Sequence, residues 1–150
     1  MLNFFDRGAS QQFKDRLALL RPDSKAEWGK MNSAQALAHL CKGMEQAMGD
    51  IHPPRMILGR IIGRFIKSKA LGDDSPMIRN SPTVPGFVFQ DERDFSAERQ
   101  RLIGLIDRAV TTGPSGCSVH PHSFFGPLTS EQWGVLMYKH LDHHLRQFGV

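Results

Sequence analysis

The sequence predicts an all-α fold built as a helical bundle, and three observations indicate it. Apolar residues recur at helical spacing in four segments, start and stop residues bound each of them, and no segment shows the alternation of a half-buried strand. The 150 residues suit one domain, so we predict a single domain over residues 1–150. No apolar run approaches the ~20 residues that cross a bilayer.

The first two helices are predicted from their apolar spacing and their ends. The first runs from about Ser10 to Leu20, because Phe13 and Leu17 lie four residues apart and Pro22 forbids continuation. The second begins after Asn32, a favoured N-cap residue, and continues until Gly49 supplies a stop.

The last two helices have clearer start signals. One begins at Asp94 and ends before Gly113 and Pro114. The other begins at Thr129, which forms a capping box with Gln132 three residues later, and it meets no helix breaker until Gly149. These four segments are the expected bundle helices.

The stretch between the second and third of these helices has two parts. Residues 55–69 alternate basic and apolar side chains and predict one extra short helix. Residues 72–92 hold Pro76, Pro82 and Pro85, a density that prevents regular structure. Because this connection is long for a compact domain, we expect a crossover between parallel neighbouring helices or a part of a site.

Charge and cysteine content restrict the classes of function. The formal charge of +4 permits attraction to nucleic acid or anionic lipid without requiring it. Cys41 and Cys117 lack C-x-x-C spacing, so we interpret them as free thiols. The first ten residues lack the features of a secretory signal, and we expect a cytoplasmic protein.

The basic segment 55–69 leaves two interpretations open. It either docks to a membrane surface or an acidic partner, or it covers the bundle and presents a solvated basic rim. Nucleic-acid binding is not expected, because Phe65 is the only aromatic residue in the segment and no reader motif is present. A homodimer is compatible with the sequence.

The last helix carries the strongest chemical signal. A helical wheel groups Trp133, Met137, His140, His144 and Phe148 in one arc and places Lys139, Asp142 and Arg146 opposite. Residues four apart share a helix face, so His140 and His144 can bind one metal ion together. Two ordinary core histidines, each satisfied by hydrogen bonds, are the alternative. His143 lies at the flank of the arc.

A third ligand has to come from another helix, because metal sites in bundles are built from facing helices. His39 is the helical candidate, although it lies off the apolar centre of the second helix. Its small neighbours Ala36 and Gly43 allow close helix approach or mark a lightly packed edge. His120 and His122 flank Pro121 in a rigid turn, and we expect them at a pocket mouth rather than on a metal. His52 is expected in a surface loop.

Several motifs match a known group of proteins. They are Trp28-Gly29-Lys30-Met31-Asn32-Ser33-Ala34-Gln35 leading to Ala38-His39-Leu40, then Asn80-Ser81-Pro82-Thr83 and Asp94-Phe95, and finally Phe124-Phe125-Gly126-Pro127-Leu128 leading to Tyr138-Lys139-His140-Leu141-Asp142-His143-His144-Leu145-Arg146-Gln147. Together they resemble a bacterial family of unassigned function within the DinB/YfiT-like superfamily. The resemblance implies a four-helix bundle with long crossover connections.

The same resemblance implies a ligand set. The superfamily signature is one histidine on the second helix plus H-x-x-x-H on the last, which here are His39, His140 and His144. The usual continuation after the final histidine is Arg-Gly-Gln, and this chain keeps the glutamine, as Gln147, without the glycine. Zinc or nickel is the expected ion, since imidazole-only sites suit borderline metals.

The resemblance implies a class of enzyme but no specific reaction. Characterised superfamily relatives include thiol-dependent transferases and isomerases, so we expect a metal-dependent transferase or hydrolase that acts on a small molecule or a low-molecular-weight thiol. We expect the metal to face an open pocket, with His122, Phe124, Phe125, His143 and Gln35 as lining candidates. The alternative is a non-catalytic interaction module that has a structural or vestigial metal site and docks through segment 55–69.

Overall fold

The computed structural model describes residues 1–150 and contains five α-helices and no strand, which confirms the all-α prediction. The helices are α1 (Ala9–Leu19), α2 (Ser33–Ala47), α3 (Ile57–Leu71), α4 (Phe95–Thr112) and α5 (Ser130–Gln147). Two 3₁₀ turns, Pro85–Phe87 and Pro114–Gly116, interrupt the longer connections.

Helices α2, α4 and α5 start at the capping residues that the sequence predicted, Asn32, Asp94 and Thr129. Asp94 caps α4 by accepting a hydrogen bond from the backbone N–H of Ala97. The capping box of Thr129 and Gln132 opens α5. A second capping box, which the sequence analysis overlooked, joins Asn32 and Gln35 at the start of α2.

Four of the helices pack in a closed ring in which α1 contacts α4 and α5, and α2 contacts the same two helices. Side-chain pairs between α2 and α4 advance together along both helices. They are Cys41 with the Glu98 carbonyl, Glu45 with Arg101, and Asp50 just beyond α2 with Arg108. The two helices therefore run parallel, as the crossover prediction required.

Helices α1 and α5 also run parallel, because Phe13 contacts Tyr138 and Arg16 pairs with Asp142. Inside the ring lies one apolar core. Its completely enclosed large side chains are Phe4, Phe13, Leu17, Leu37, Leu40, Met44, Leu102, Ile106, Trp133, Val135, Leu141 and Leu145.

The helix of the basic segment differs from the prediction in length. At 15 residues α3 is as long as α2, so it is not the short extra helix expected. It lies outside the ring against α5 and the loop that precedes α5. A Cβ at Gly59 or Gly63 would overlap the backbone of Phe124, so these glycines allow the helix to pack directly on that loop.

Lys139 was placed on the polar face of the last helix, and this was wrong. Its side chain is buried, and its Nζ donates a hydrogen bond to the Ala70 carbonyl at 2.7 Å in the last turn of α3. A cation is favourable there, because the C-terminal end of a helix carries partial negative charge.

The proline-bearing connection contains no helix or strand apart from its single 3₁₀ turn. It passes beside α2 and brings the buried Phe87 against His39. None of the helices has the combination of length and apolar character needed to cross a membrane.

Candidate metal centre

Three histidines from two antiparallel helices converge beside the core. His39 comes from α2, and His140 and His144 lie one turn apart on α5. One ring nitrogen from each lies within 4.8 Å of the others. Because Zn–N bonds measure about 2.0–2.1 Å, small side-chain adjustments suffice to bring three such nitrogens onto one ion. The triad could hold a metal ion.

The His39 ring is oriented by the crossover connection. Its Nδ1 lies 2.9 Å from the backbone carbonyl oxygen of Phe87. A carbonyl oxygen only accepts, so Nδ1 carries the proton and donates it, which leaves the lone pair on Nε2. That Nε2 faces His140.

The His144 ring is fixed in the same way by a side chain. Its Nδ1 lies 2.8 Å from Oε1 of Gln147, and Nε2 of Gln147 donates to the Trp28 carbonyl at 2.6 Å. The Trp28 carbonyl settles which end of the amide is the acceptor, so Nδ1 of His144 is the donor. The lone pair of His144 is therefore on Nε2, which makes no hydrogen bond within the protein.

Two glycines make room for side chains of the site, Gly43 for His140 and Gly29 for Gln147. A Cβ at Gly43 would lie 2.6 Å from Nδ1 of His140, so only glycine lets this imidazole lie flat against α2. A Cβ at Gly29 would lie 2.5 Å from Nε2 of Gln147, and Gly29 also has a φ of 80°, a conformation that disfavours other residues.

His39 and His140 approach each other closely, with 2.8 Å between their Nε2 atoms. Because the only N–H of a neutral His39 is on Nδ1 and donates to the Phe87 carbonyl, the Nε2 of His39 presents a lone pair. Two lone pairs at this distance repel unless a positive centre lies between them. A proton on His140 satisfies the pair, and so does a cation shared by both rings.

Withdrawal from water keeps the triad neutral. Burial lowers the pKa of His39, lowers that of His140 well below its usual value, and lowers that of His144 to about 3. Histidine binds metal through its neutral form, so all three rings are ready ligands at neutral pH without loss of a proton.

The triad opens onto a cavity of about 710 Å³. Residues of α2, α3, α5, the crossover and the loops before α2 and α5 form its wall, and Asp73 is its only carboxylate. Five of the seven methionines line it: Met31, Met44, Met56, Met77 and Met137. Methionine side chains are flexible and polarizable, so this wall can adapt to apolar groups of different shapes.

Four of the five predicted lining residues lie in this wall, namely His122, Phe124, Phe125 and His143. Gln35 does not. Its Oε1 accepts from the Asn32 N–H in the capping box, and its Nε2 donates to the Asp91 carbonyl, so its side chain serves the start of α2.

His122 is held in one tautomer. Its Nδ1 accepts hydrogen bonds from the backbone N–H groups of Phe124 and Phe125, each at 3.1 Å. Burial lowers its pKa to about 4, so the ring is neutral and its proton is on Nε2. Nε2 has no protein partner, which makes it a hydrogen-bond donor available at the cavity wall.

The remaining histidines do not join the triad. His143 contacts the rings of Trp28 and His144 edge-on at 5.5 and 5.0 Å. His120 is exposed and packs against the exposed His52, with 3.7 Å between ring centroids. Neither His120 nor His122 nor a carboxylate completes the cluster, which consists of three histidines alone.

Sequence reasoning missed several residues that support the site. Gln147 and Trp28 both belong to the matching motifs, and that coincidence was the only available signal that they act together. Arg79 covers the Trp28 ring, with its guanidinium carbon 3.9 Å from the ring centroid. The Phe87 carbonyl gave no signal, because a backbone acceptor in an irregular connection has no sequence signature.

Comparison with known proteins identifies a family without an assigned activity. The model of a family described as a protein of unknown function (DUF1569) matches residues 4–149. No curated protein and no solved structure matches the chain. The chemistry therefore has to be inferred from the three histidines and the cavity.

Proposed function

The chain belongs to the DUF1569 family of proteins of unknown function, and on that premise we propose that it is a metal-dependent enzyme. His39, His140 and His144 hold one divalent ion, and the adjoining cavity binds a small, largely apolar substrate. The observation that carries the proposal is that acceptors occupy the Nδ1–H groups of His39 and His144, which leaves their Nε2 lone pairs free for an ion, while ring nitrogens of the three histidines lie within 4.8 Å of one another.

This arrangement favours a metal site over a set of satisfied core histidines. A core histidine usually has a protein partner for each ring nitrogen. Here Nε2 of His144 has none, and Nε2 of His39 meets only another imidazole nitrogen. The carbonyl and amide acceptors behind the ligands are the kind of support that metal-binding histidines have in general.

Zinc or nickel is our proposed occupant, because imidazole donors suit borderline metals better than magnesium or calcium. An ion held by three histidines has a further coordination position open to a thiol or a water molecule. As a Lewis acid, the ion would acidify the molecule bound at that position. We therefore propose a transferase that uses a low-molecular-weight thiol, or a hydrolase.

The cavity supports a catalytic rather than a structural role. Its only carboxylate, Asp73, lies 3.7 Å from the buried Lys139, so we assign the activation of the thiol or water to the ion and not to a carboxylate base. The methionine-rich wall excludes water from an apolar substrate. The Nε2–H of His122 donates a hydrogen bond that orients a substrate carbonyl or another acceptor.

We also propose that the fold is DinB-like and that the protein is cytoplasmic. Two features support the first proposal: the parallel pairs α1/α5 and α2/α4, and the long crossover that leads from α2 to α4. Two free cysteines, Cys41 and Cys117, fit the reducing cytoplasm. We further propose that the chain forms a single domain, since one core cluster includes residues from α1 to α5.

The decisive experiment combines metal binding with activity. Protein stripped with a chelator is titrated with Zn²⁺ and Ni²⁺ by calorimetry, and we expect one ion per chain. His140→Ala should abolish tight binding, whereas the control His52→Ala, which removes an exposed histidine outside the cluster, should not.

The loaded protein is then assayed for transfer of glutathione or cysteine to an electrophilic aromatic halide and for hydrolysis of nitrophenyl esters. Turnover that needs the metal and is lost in His140→Ala supports the enzyme. Failure of the wild type to bind either ion refutes the metal site. Unfolding of the stripped protein under native conditions would instead indicate a structural metal.

A further inference from the structure

The outer face of α3 carries large apolar side chains that nothing in the chain covers. Ile57, Ile61 and Phe65 recur every four residues and are 79%, 66% and 77% exposed, and Leu58 is 44% exposed. Single exposed apolar residues are normal on a protein surface, but a contiguous group indicates an interaction surface. We call these four residues the α3 outer face.

The packing of α3 explains why this face is directed outward. At 100° per residue, Gly59, Gly63 and Ala70 fall on the side of the helix opposite Ile61. Gly59 and Gly63 lie directly against the Phe124 backbone, with no space for a side chain. Rotating α3 to bury its apolar residues would force branched side chains into that contact, so the exposure is a fixed property of the fold.

Basic residues flank the α3 outer face on both sides. Arg60 and Arg64 are exposed along one edge, and Lys69 is exposed on the other. Lys67 is already hydrogen-bonded within the chain: its Nζ donates to the Pro127 carbonyl at 3.0 Å. Residues 51–72 contain no aspartate or glutamate, so the whole segment presents uniform positive charge.

We propose that α3 docks the protein onto the surface of an anionic lipid bilayer. An interfacial helix has a strip of large apolar side chains bordered by lysine and arginine, and α3 has this pattern. The apolar strip lies on a convex helix face. Such a face can insert between lipid headgroups, whereas an acidic peptide would need a groove in which to bind. The basic edges match the negative potential of anionic headgroups.

Docking in this orientation would place the cavity next to the membrane. Ile66 and Ala70, on the inner side of the same helix, line the cavity wall. Membrane docking does not depend on the metal site, and either proposal can fail without the other.

Sedimentation with vesicles tests the proposal on the full chain. We expect the protein to pellet with phosphatidylcholine vesicles that contain phosphatidylglycerol, to remain largely in solution with phosphatidylcholine alone, and to bind less as salt is added. No binding to the anionic vesicles at low ionic strength would overturn the proposal.

Two double variants separate the apolar and charged contributions. Ile61→Asn with Phe65→Asn should reduce binding to background, because the strip can no longer insert. Arg60→Gln with Arg64→Gln should lower the partition coefficient roughly 30-fold, as expected for two basic side chains near an anionic surface. All four positions are exposed, so folding is preserved and circular dichroism can verify it.

Matched controls remove equivalent groups elsewhere. Leu19→Asn with Val119→Asn changes two other exposed apolar residues, and Arg7→Gln with Arg21→Gln removes two other exposed charges. Neither control should match the loss caused by the α3 variants. An equal loss would indicate general charge attraction and overturn the proposal. So would a dimer in solution that the Phe65→Asn change dissociates, because a second copy would then cover this face.

Discussion

Gly43 lies directly against the imidazole of His140, and a Cβ on Gly43 would be 2.6 Å from Nδ1 and 2.7 Å from Cε1 of that ring. This contact joins α2 to the ligand-bearing helix at the level of the triad. The absence of a side chain at one position thus determines where a candidate ligand on another helix can lie.

We therefore expect Gly43→Ala to displace the His140 ring and weaken metal binding by at least tenfold, a loss comparable to that of a supporting residue. Calorimetric titration with Zn²⁺ measures it. The matched control is Gly104→Ala on α4, where a Cβ would meet nothing within 4 Å. That change should leave metal binding unaltered and stabilise the fold by about 0.5–1 kcal/mol, because alanine favours helix. Unchanged affinity in Gly43→Ala would contradict the proposed ligand geometry.

Gln147 should matter for metal affinity although it does not face the metal. Its amide connects His144 Nδ1 to the Trp28 carbonyl. Gln147→Ala removes the acceptor that fixes the His144 tautomer, so we expect affinity to fall roughly 10- to 100-fold. Competition with a chromogenic chelator measures the change. Gln11→Ala, at an exposed position on α1, should have no effect, and an equal effect from both would disprove the link.

The hydrogen bonds also predict the tautomers of three rings in the metal-free protein. His39 and His144 should carry the proton on Nδ1, and His122 should carry it on Nε2. Two-dimensional ¹H–¹⁵N spectra that correlate ring nitrogens with ring carbon-bound protons distinguish the two forms. His122→Asn should keep the loop, because its side-chain oxygen can replace Nδ1 as the acceptor. A His122 found with its proton on Nδ1 would remove our proposed substrate donor.

Helix boundaries and the H-x-x-x-H pair were predictable because their signals are local. Capping residues such as Asn32 and Thr129 act within one turn, and two histidines four apart share a face whatever surrounds them. The prediction that Gln35 lines the pocket was wrong, because a side chain that closes a capping box is no longer available to a pocket. The prediction for Lys139 was wrong because the end of α3 covers a position that the wheel treated as solvent-facing.

The position of His39 was beyond local reasoning. Its approach to His140 depends on the register of two antiparallel helices, and its orientation depends on a carbonyl 48 residues away in the crossover. The sequence offered His39 only as the remaining helical candidate, and the resemblance to the DinB/YfiT-like signature was what favoured it as a ligand. The apolar outer face of α3 was visible as a pattern, but the direction it faces follows from Gly59 and Gly63 contacting the loop backbone.

The final prediction concerns stability against pH in the metal-free protein. The folded pKa of His144 is about 3, because burial disfavours the charged ring, whereas its usual value is 6.5. Between these values the unfolded chain binds a proton at His144 and the folded chain does not, so the free energy of unfolding falls as pH is lowered through this window. One such group contributes up to about 1.4 kcal/mol per pH unit, and His122, whose pKa is about 4, acts in the same direction. Urea unfolding in the presence of chelator, measured from neutral pH to about pH 4, should therefore show a steep loss of stability below pH 6.5. His144→Gln should reduce that slope by about one proton. A wild-type stability that stays constant across this window would show that these rings are not buried in neutral form.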